Sequence, residues 1–285
     1  MNAIRQDDAP AMEASKRDSL AEAEKPLLRV LGESIRNPAF WGYSTWLDIV
    51  IRYRKSKFGL LWILVPPLMY VGGMGYFFAK VQGNDPLVFM PHIGIGYMLF
   101  RMITMVMVES TSVLPMHAGY ILDGRVRLTD FVLRVIFKAG FYFLTSWVIL
   151  VPVLIASPVF HPEGLPMAML GLVLLMLNMV WVSGVISLFG ARFPDAHEFM
   201  GNVFILGFLI TPILWYPKTA PPNTIHGILM RLNPAYHMIE LVRAPLLGAQ
   251  PGGHSLIIVT LGALLGWGLW IWLYRRYARY VALWV

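Results

Sequence analysis

The chain is built from long uncharged apolar runs separated by short polar connections, most of them basic. A helix rises about 1.5 Å per residue, so crossing a hydrocarbon core of about 30 Å takes about 20 residues. Six segments qualify: 58–79, 87–108, 139–160, 165–191, 199–217 and 255–274. The first contains Pro66-Pro67, which removes two backbone donors and predicts a kink. The second holds His92 and Arg101; the others are uncharged. This pattern predicts an all-α membrane protein with six transmembrane helices. No internal repeat is evident, so the inverted-repeat architecture of many secondary transporters is not expected.

Three further segments are patterned but too short or too polar to span. Residues 38–57 carry Trp41, Trp46, Leu47, Val50 and Tyr53, followed by the basic cluster Arg52, Arg54, Lys55 and Lys57. That pattern predicts an amphipathic helix lying along a membrane surface. Residues 115–130 form a polar connection broken by Gly119 and Gly124. Residues 218–253 contain two short helical patterns that divide near Asn233-Pro234. Their apolar positions (Ile225, Ile228, Leu229, Met238, Ile239, Leu241) are too many for a free loop. They predict a re-entrant hairpin, tolerated at membrane depth where protein covers the backbone. The chain thus divides into a tail over 1–37, disordered at its start, a surface helix over 38–57 and a transmembrane domain over 58–285.

Composition agrees. Hydrophobic residues make up 57% of the chain and charged residues 14%, against about 25% charged in soluble domains. The 37 leading residues contain no apolar signal-peptide core, so the first span is expected to direct insertion. The net charge of +7 is distributed by side. With both termini cytoplasmic, eighteen Lys and Arg fall on the cytoplasmic side and four on the other (Lys80, Lys218, Arg231 and Arg243). That asymmetry sets the orientation and accounts for the basic charge without nucleic acid. Trp215, Tyr216, Trp270, Trp272, Tyr274, Tyr277 and Tyr280 fall near the expected interfaces, where amphipathic rings are favoured.

The candidate chemistry is sparse. Cysteine is absent, which removes disulfides, thiolate metal sites and cysteine nucleophiles. No Gly-Lys dipeptide exists, so no phosphate-cradling loop of that kind can form, and neither His-Glu-x-x-His nor Gly-x-Ser-x-Gly occurs. No cofactor or metal is expected on this chain. Energised transport would draw on a partner or an ion gradient. An ion-coupled carrier would place carboxylates in mid-span, where the candidates are Arg101 and Glu109, two helical turns apart. His237, Glu240 and Arg243 recur at three-residue spacing on one helical face. That cluster fits an internal ion pair fixing the hairpin, a gating or sugar contact, or a proton relay. The many aromatic residues within the spans suit either lipid and helix contact or the stacking of sugar faces.

Four stretches carry a more specific resemblance: Asp48 through Trp62 followed by Pro66, Gly119-Tyr120-Ile121-Leu122 through Arg127, Phe193-Pro194-Asp195, and Leu232-Asn233-Pro234 through Gly248. Together they resemble the transmembrane subunit of ABC-2 type permeases that export polysaccharide, the lipopolysaccharide O-antigen, capsule and teichoic acid exporters. The resemblance covers about residues 38 to 275. It departs from the family pattern at Leu128-Thr129-Asp130, where a proline often follows the basic pair.

The resemblance implies a half-transporter of a bacterial inner membrane. Two copies would pair around a channel, each contacting a separate ABC ATPase that holds ATP and Mg, so this chain would not itself be an enzyme. The cargo would be a polysaccharide or lipid-linked glycan. By the same resemblance, Trp41, Trp46, Arg52, Arg54 and Lys55 belong to an interface helix. His117, Gly119, Tyr120, Arg125 and Arg127 belong to the segment that docks on the ATPase. Asn233, Pro234, His237, Glu240 and Arg243 belong to gate helices at the channel exit. The competing expectations are an ABC-2 exporter of a drug or lipid, an ion-coupled carrier, and a membrane-embedded transferase.

Overall fold

The computed structural model describes residues 25–124 and 126–285, and no strand occurs among them. Helix α1 spans Leu27–Arg36. A π turn over Ala39–Tyr43 leads into α2, Ser44–Tyr53. The first long apolar element, α3, is Gly59–Val81, followed by α4, Pro86–Met116. A short helix α5, Ala118–Leu122, precedes α6, Leu128–Ala156. Then come α7, Leu165–Arg192, and α8, Ala196–Ile210. Two short helices follow, α9 over Ile225–Leu232 and α10 over Pro234–Leu246. The chain ends with α11, Gly253–Tyr277, and α12, Val281–Trp284.

Five of these elements are long and apolar enough to cross a membrane: α3, α4, α6, α7 extended from Pro162, and α11 continued to Trp284. Helix α4 is the axis of the bundle. It is the most buried of the five and packs against α3, α6, α7, α8 and α10. Lipid is as apolar as leucine, so apolar contact alone does not drive such helices together; close packing and hydrogen bonds do. Both are present. Ser110 Oγ of α4 lies 2.7 Å from Ser183 Oγ of α7. Asn178 Nδ2 of α7 donates to the Val259 carbonyl of α11 at 3.1 Å. The α7–α11 pair is also reciprocal: Trp270 lies against Gly184, and Trp181 against Gly266, so a Cβ at either glycine would collide with the facing indole.

Several expected boundaries move. The segment expected to span over 199–217 is helical over only Ala196–Ile210, 15 residues or about 22 Å. Pro212 has no N–H to continue the ladder, and 211–216 are non-helical. The segment expected over 139–160 begins eleven residues earlier, at Leu128, and ends at Ala156. Arg134 and Lys138, read as flanking charges, therefore ride on its first turns. The start of α6 is capped by a carboxylate, since the Arg127 backbone N–H donates to Asp130 Oδ2 at 3.1 Å. The surface helix expected over 38–57 is helical only to Tyr53; Arg54 and Lys55 fall in turns that lead to Gly59, whose φ is +53°. Pro66-Pro67 gives not a single kink but a change of winding, 3-10 over Gly59–Leu64 and π over Met69–Met74. Of the tail, the described part is the docked helix α1.

Candidate functional site

Polar side chains gather at the two ends of α4. The first cluster closes the break after α8. Residues 211–216 lack helical hydrogen bonds, so their carbonyls need other donors. Side chains supply them. Arg243 Nη1 donates to the Pro212 carbonyl at 2.5 Å, Gln82 Nε2 to the Leu214 carbonyl at 2.9 Å, and His92 Nε2 lies 3.0 Å from the Trp215 carbonyl. Asn233 does two jobs. Its Oδ1 caps α10 by accepting from the Ala235 N–H at 3.0 Å, and its Nδ2 donates to Thr211 Oγ1 at 2.7 Å. Pro234 then occupies the first helical position, where its missing N–H costs nothing.

Arg243 is the keystone of this cluster. Its side chain is 2% exposed, and Nη2 donates to Glu240 Oε2 at 2.7 Å. Nη1 also lies 3.2 Å from His92 Nε2, and Gly96 leaves the room it needs, since a Cβ there would sit 3.2 Å from Nη1. A buried charge is tolerable only when paired and hydrogen-bonded, and here it is both. The sequence spacing correctly joins Glu240 to Arg243. His237 does not belong with them. Its Nδ1 lies 2.9 Å from Ser255 Oγ and its Nε2 2.8 Å from the Arg231 carbonyl, so it ties α10 to α9 and α11.

The second cluster lies at the other end of α4, about 25 Å away by helical rise. Here Glu109 accepts from Lys138 Nζ through both oxygens, at 2.8 and 2.9 Å. One helical turn along α6, Arg134 pairs with Asp48 and donates to Ser44 Oγ, which anchors α2 against the bundle. These groups line a crevice of about 550 Å³ with Arg52, Ser112, His117 and His197. Arg101 and Glu109 do not meet. Arg101 lies over the Tyr142 ring, 5.4 Å from its centroid, and its Nη1 is buried with no hydrogen-bond partner. Tyr142 in turn lies 3.3 Å, hydroxyl to hydroxyl, from Tyr53.

Beside the crevice, the turn after α4 presents Met116, Tyr120 and Leu122, all more than half exposed. His117 caps α4 with Nδ1 2.7 Å from the Val113 carbonyl, and its ring stands 5.3 Å from that of Phe131. Burial pushes the His117 imidazole below its ordinary range, and the Val113 carbonyl offsets this in part. Gly119 has open space around it, and Arg127 pairs with Glu33 at 3.3 Å. Arg125 lies outside the described residues. In the surface segment, Trp41 Nε1 donates to the Ser34 carbonyl at 2.8 Å, and Trp46 meets the Phe141 ring at 5.7 Å. Arg52, Arg54 and Lys55 are exposed.

Sequence reasoning missed the partners rather than the principals. His92, Gln82 and Thr211 had no pattern linking them to residue 243. Lys138 and Arg134 did carry a signal, a four-residue spacing that places both on one face of α6. Among the described residues no cluster of His, Cys, Asp and Glu could hold a metal ion. No protein-family model matches the sequence, and no curated protein matches it.

Proposed function

We propose that the chain is the membrane-spanning permease subunit of an ATP-driven exporter that moves polysaccharide, or a lipid-linked glycan, out of a bacterial cytoplasm. Two copies form the channel, and two separate ABC ATPase subunits power it. The observation that carries this reading is the division of labour along α4. One end of that helix runs into a small turn with exposed Met116, Tyr120 and Leu122, beside a surface helix fastened by the Arg134–Asp48 pair. The other end meets a hairpin of two short helices, where Arg243 bonds the Pro212 carbonyl and Glu240 and His92 bonds the Trp215 carbonyl. A soluble motor needs the first surface, and a channel exit needs the second. A sequence without a phosphate-binding loop needs that motor from elsewhere. On this reading the turn end is cytoplasmic and Glu240 and Arg243 brace the exit helices.

Purification of the tagged protein from native membranes in mild detergent, followed by ATPase assay and mass spectrometry, tests it. A stoichiometric ABC ATPase with vanadate-sensitive activity is the expected result. A clean dimer or monomer, under conditions that keep other ABC complexes whole, would sink the reading. An ion-coupled carrier would then lead, with the Glu109–Lys138 pair as its coupling site.

A further inference from the structure

The turn that carries Met116, Tyr120 and Leu122 cannot hold its own position. Helix α5 has five residues, and isolated helices shorter than about 12 residues are marginal in water. It is followed by Gly124 at φ +69°. Something outside the connection must therefore fix where its exposed side chains point.

Both ends of the described chain converge on it. From one side comes α1, which packs against α6 and α11 with Leu27 and Leu31 buried. Ser34 Oγ lies 2.7 Å from Thr129 Oγ1, with both residues fully buried. Glu33 reaches Arg127 at 3.3 Å. These bonds grip the start of α6, just beyond the connection. The Trp41 indole bonds the Ser34 carbonyl, and Phe40 beside it meets both Tyr120 and Phe131 with ring centroids 5.5 Å apart. From the other side, α12 packs against α5 and α7, with Val281 buried.

We propose that α1 is a clamp that sets the position of the 117–127 connection, with Glu33 and Ser34 as its positioning residues and α12 as the opposing jaw. The consequence for docking rests on the exporter reading above; the clamp itself does not. Its polar contacts fall on Thr129 at the start of α6 and Arg127 at the end of the connection, while its apolar side packs on α6 and α11 and on neither α4 nor α7 to a comparable extent. Loosening it therefore frees the connection while leaving the bundle intact.

Hydrogen exchange on the full chain in detergent, read by mass spectrometry, tests the clamp without any partner. Thr129→Val keeps the shape and leaves Ser34 Oγ unpaired, and exchange across 117–127 is expected to rise about ten-fold. Glu33→Gln weakens a pair about a quarter exposed on each side, so a rise of about two- to five-fold is expected. The exchanged pair Glu33→Arg with Arg127→Glu should restore part of the protection, because the guanidinium at 33 also faces Arg29, the second partner of Glu33 at 3.3 Å. Peptides within α4 and α7 should not change in any variant. Unchanged exchange across 117–127 in both single variants, or an equal rise throughout α4 and α7, overturns the clamp. In parallel, each variant is tested for retention of the co-purifying ATPase. Reduced retention by Thr129→Val, with protection and retention partly restored in the exchanged pair, supports a positioning role in docking. Faster exchange with undiminished retention overturns that role. A wild-type chain that retains no ATPase refutes the exporter reading, and the exchange data still decide the clamp.

Discussion

The two polar clusters on α4 use the same kinds of side chain and differ in how much of each is left over. At the Arg243 end, the guanidinium, Glu240, Asn233 and Thr211 are bonded to one another or to carbonyls of a broken helix. At the Glu109 end the ions pair, but Lys138 and Glu109 keep 17% and 30% of their side-chain surface exposed around an open crevice, against 2% and 18% for Arg243 and Glu240. The first arrangement holds an irregular backbone at one geometry. The second keeps charged groups in reach of solvent, where partners can exchange. Low dielectric raises the stakes of the first, because each missing partner leaves a buried polar group unpaired.

Substitutions should separate the two ends. The largest loss is expected from Arg243→Met, which strands Glu240 and the Pro212 carbonyl. Removing one partner of a buried pair costs about 3–5 kcal/mol, to be read as a fall in melting temperature by tryptophan fluorescence in detergent. Arg243→Lys should recover only part of that, because an ammonium cannot replace the planar fork that bonds Glu240 and Pro212 together. An Arg243→Met protein as stable as the wild type would remove the keystone role.

Asn233→Ala deletes a helix cap and the bond to Thr211, and the same melting assay should show a loss of about 1–2 kcal/mol. At the other end, Glu109→Gln keeps one hydrogen bond to Lys138 in a half-buried pair that borders the crevice, so a smaller loss, of about 1 kcal/mol, is expected. If Glu109→Gln proved as damaging as Arg243→Met, the crevice would be a structural core and the contrast would fail.

The smallest effect concerns His117. Its folded-state pKa lies below the ordinary value of 6.5, so folding favours the neutral ring. The stability this contributes is present above pH 6.5 and is lost as pH falls from there through the lower folded value. Melting temperatures taken from pH 7.5 to 5 should therefore drop less in His117→Gln than in the wild type. An identical drop in both would show that other groups carry the acid sensitivity.

The apolar runs of the sequence determined the helices and most of their order, because a span of lipid-solvated backbone admits few alternatives to a helix. Charge spacing also joined Glu240 to Arg243, since residues three apart share a helical face. Three features depended on contacts distant in sequence. Residues 199–217 have the composition of a span, yet Pro212 and the carbonyl acceptors of Arg243, Gln82 and His92 break it at Ile210. Lys138 looked like a flanking charge until the crossing of α4 and α6 set it against Glu109. Residues 27–36 looked like part of a tail because they share the mixed charges of the leading segment, although Leu27, Val30, Leu31 and Ser34 repeat on one helical face; Thr129 and Arg127, about a hundred positions away, make it a docked helix. Composition within one segment fixes which backbone can exist in lipid. Which donors meet which acceptors is a property of the packed helices, because the partners are brought together by chain crossings that no local pattern records.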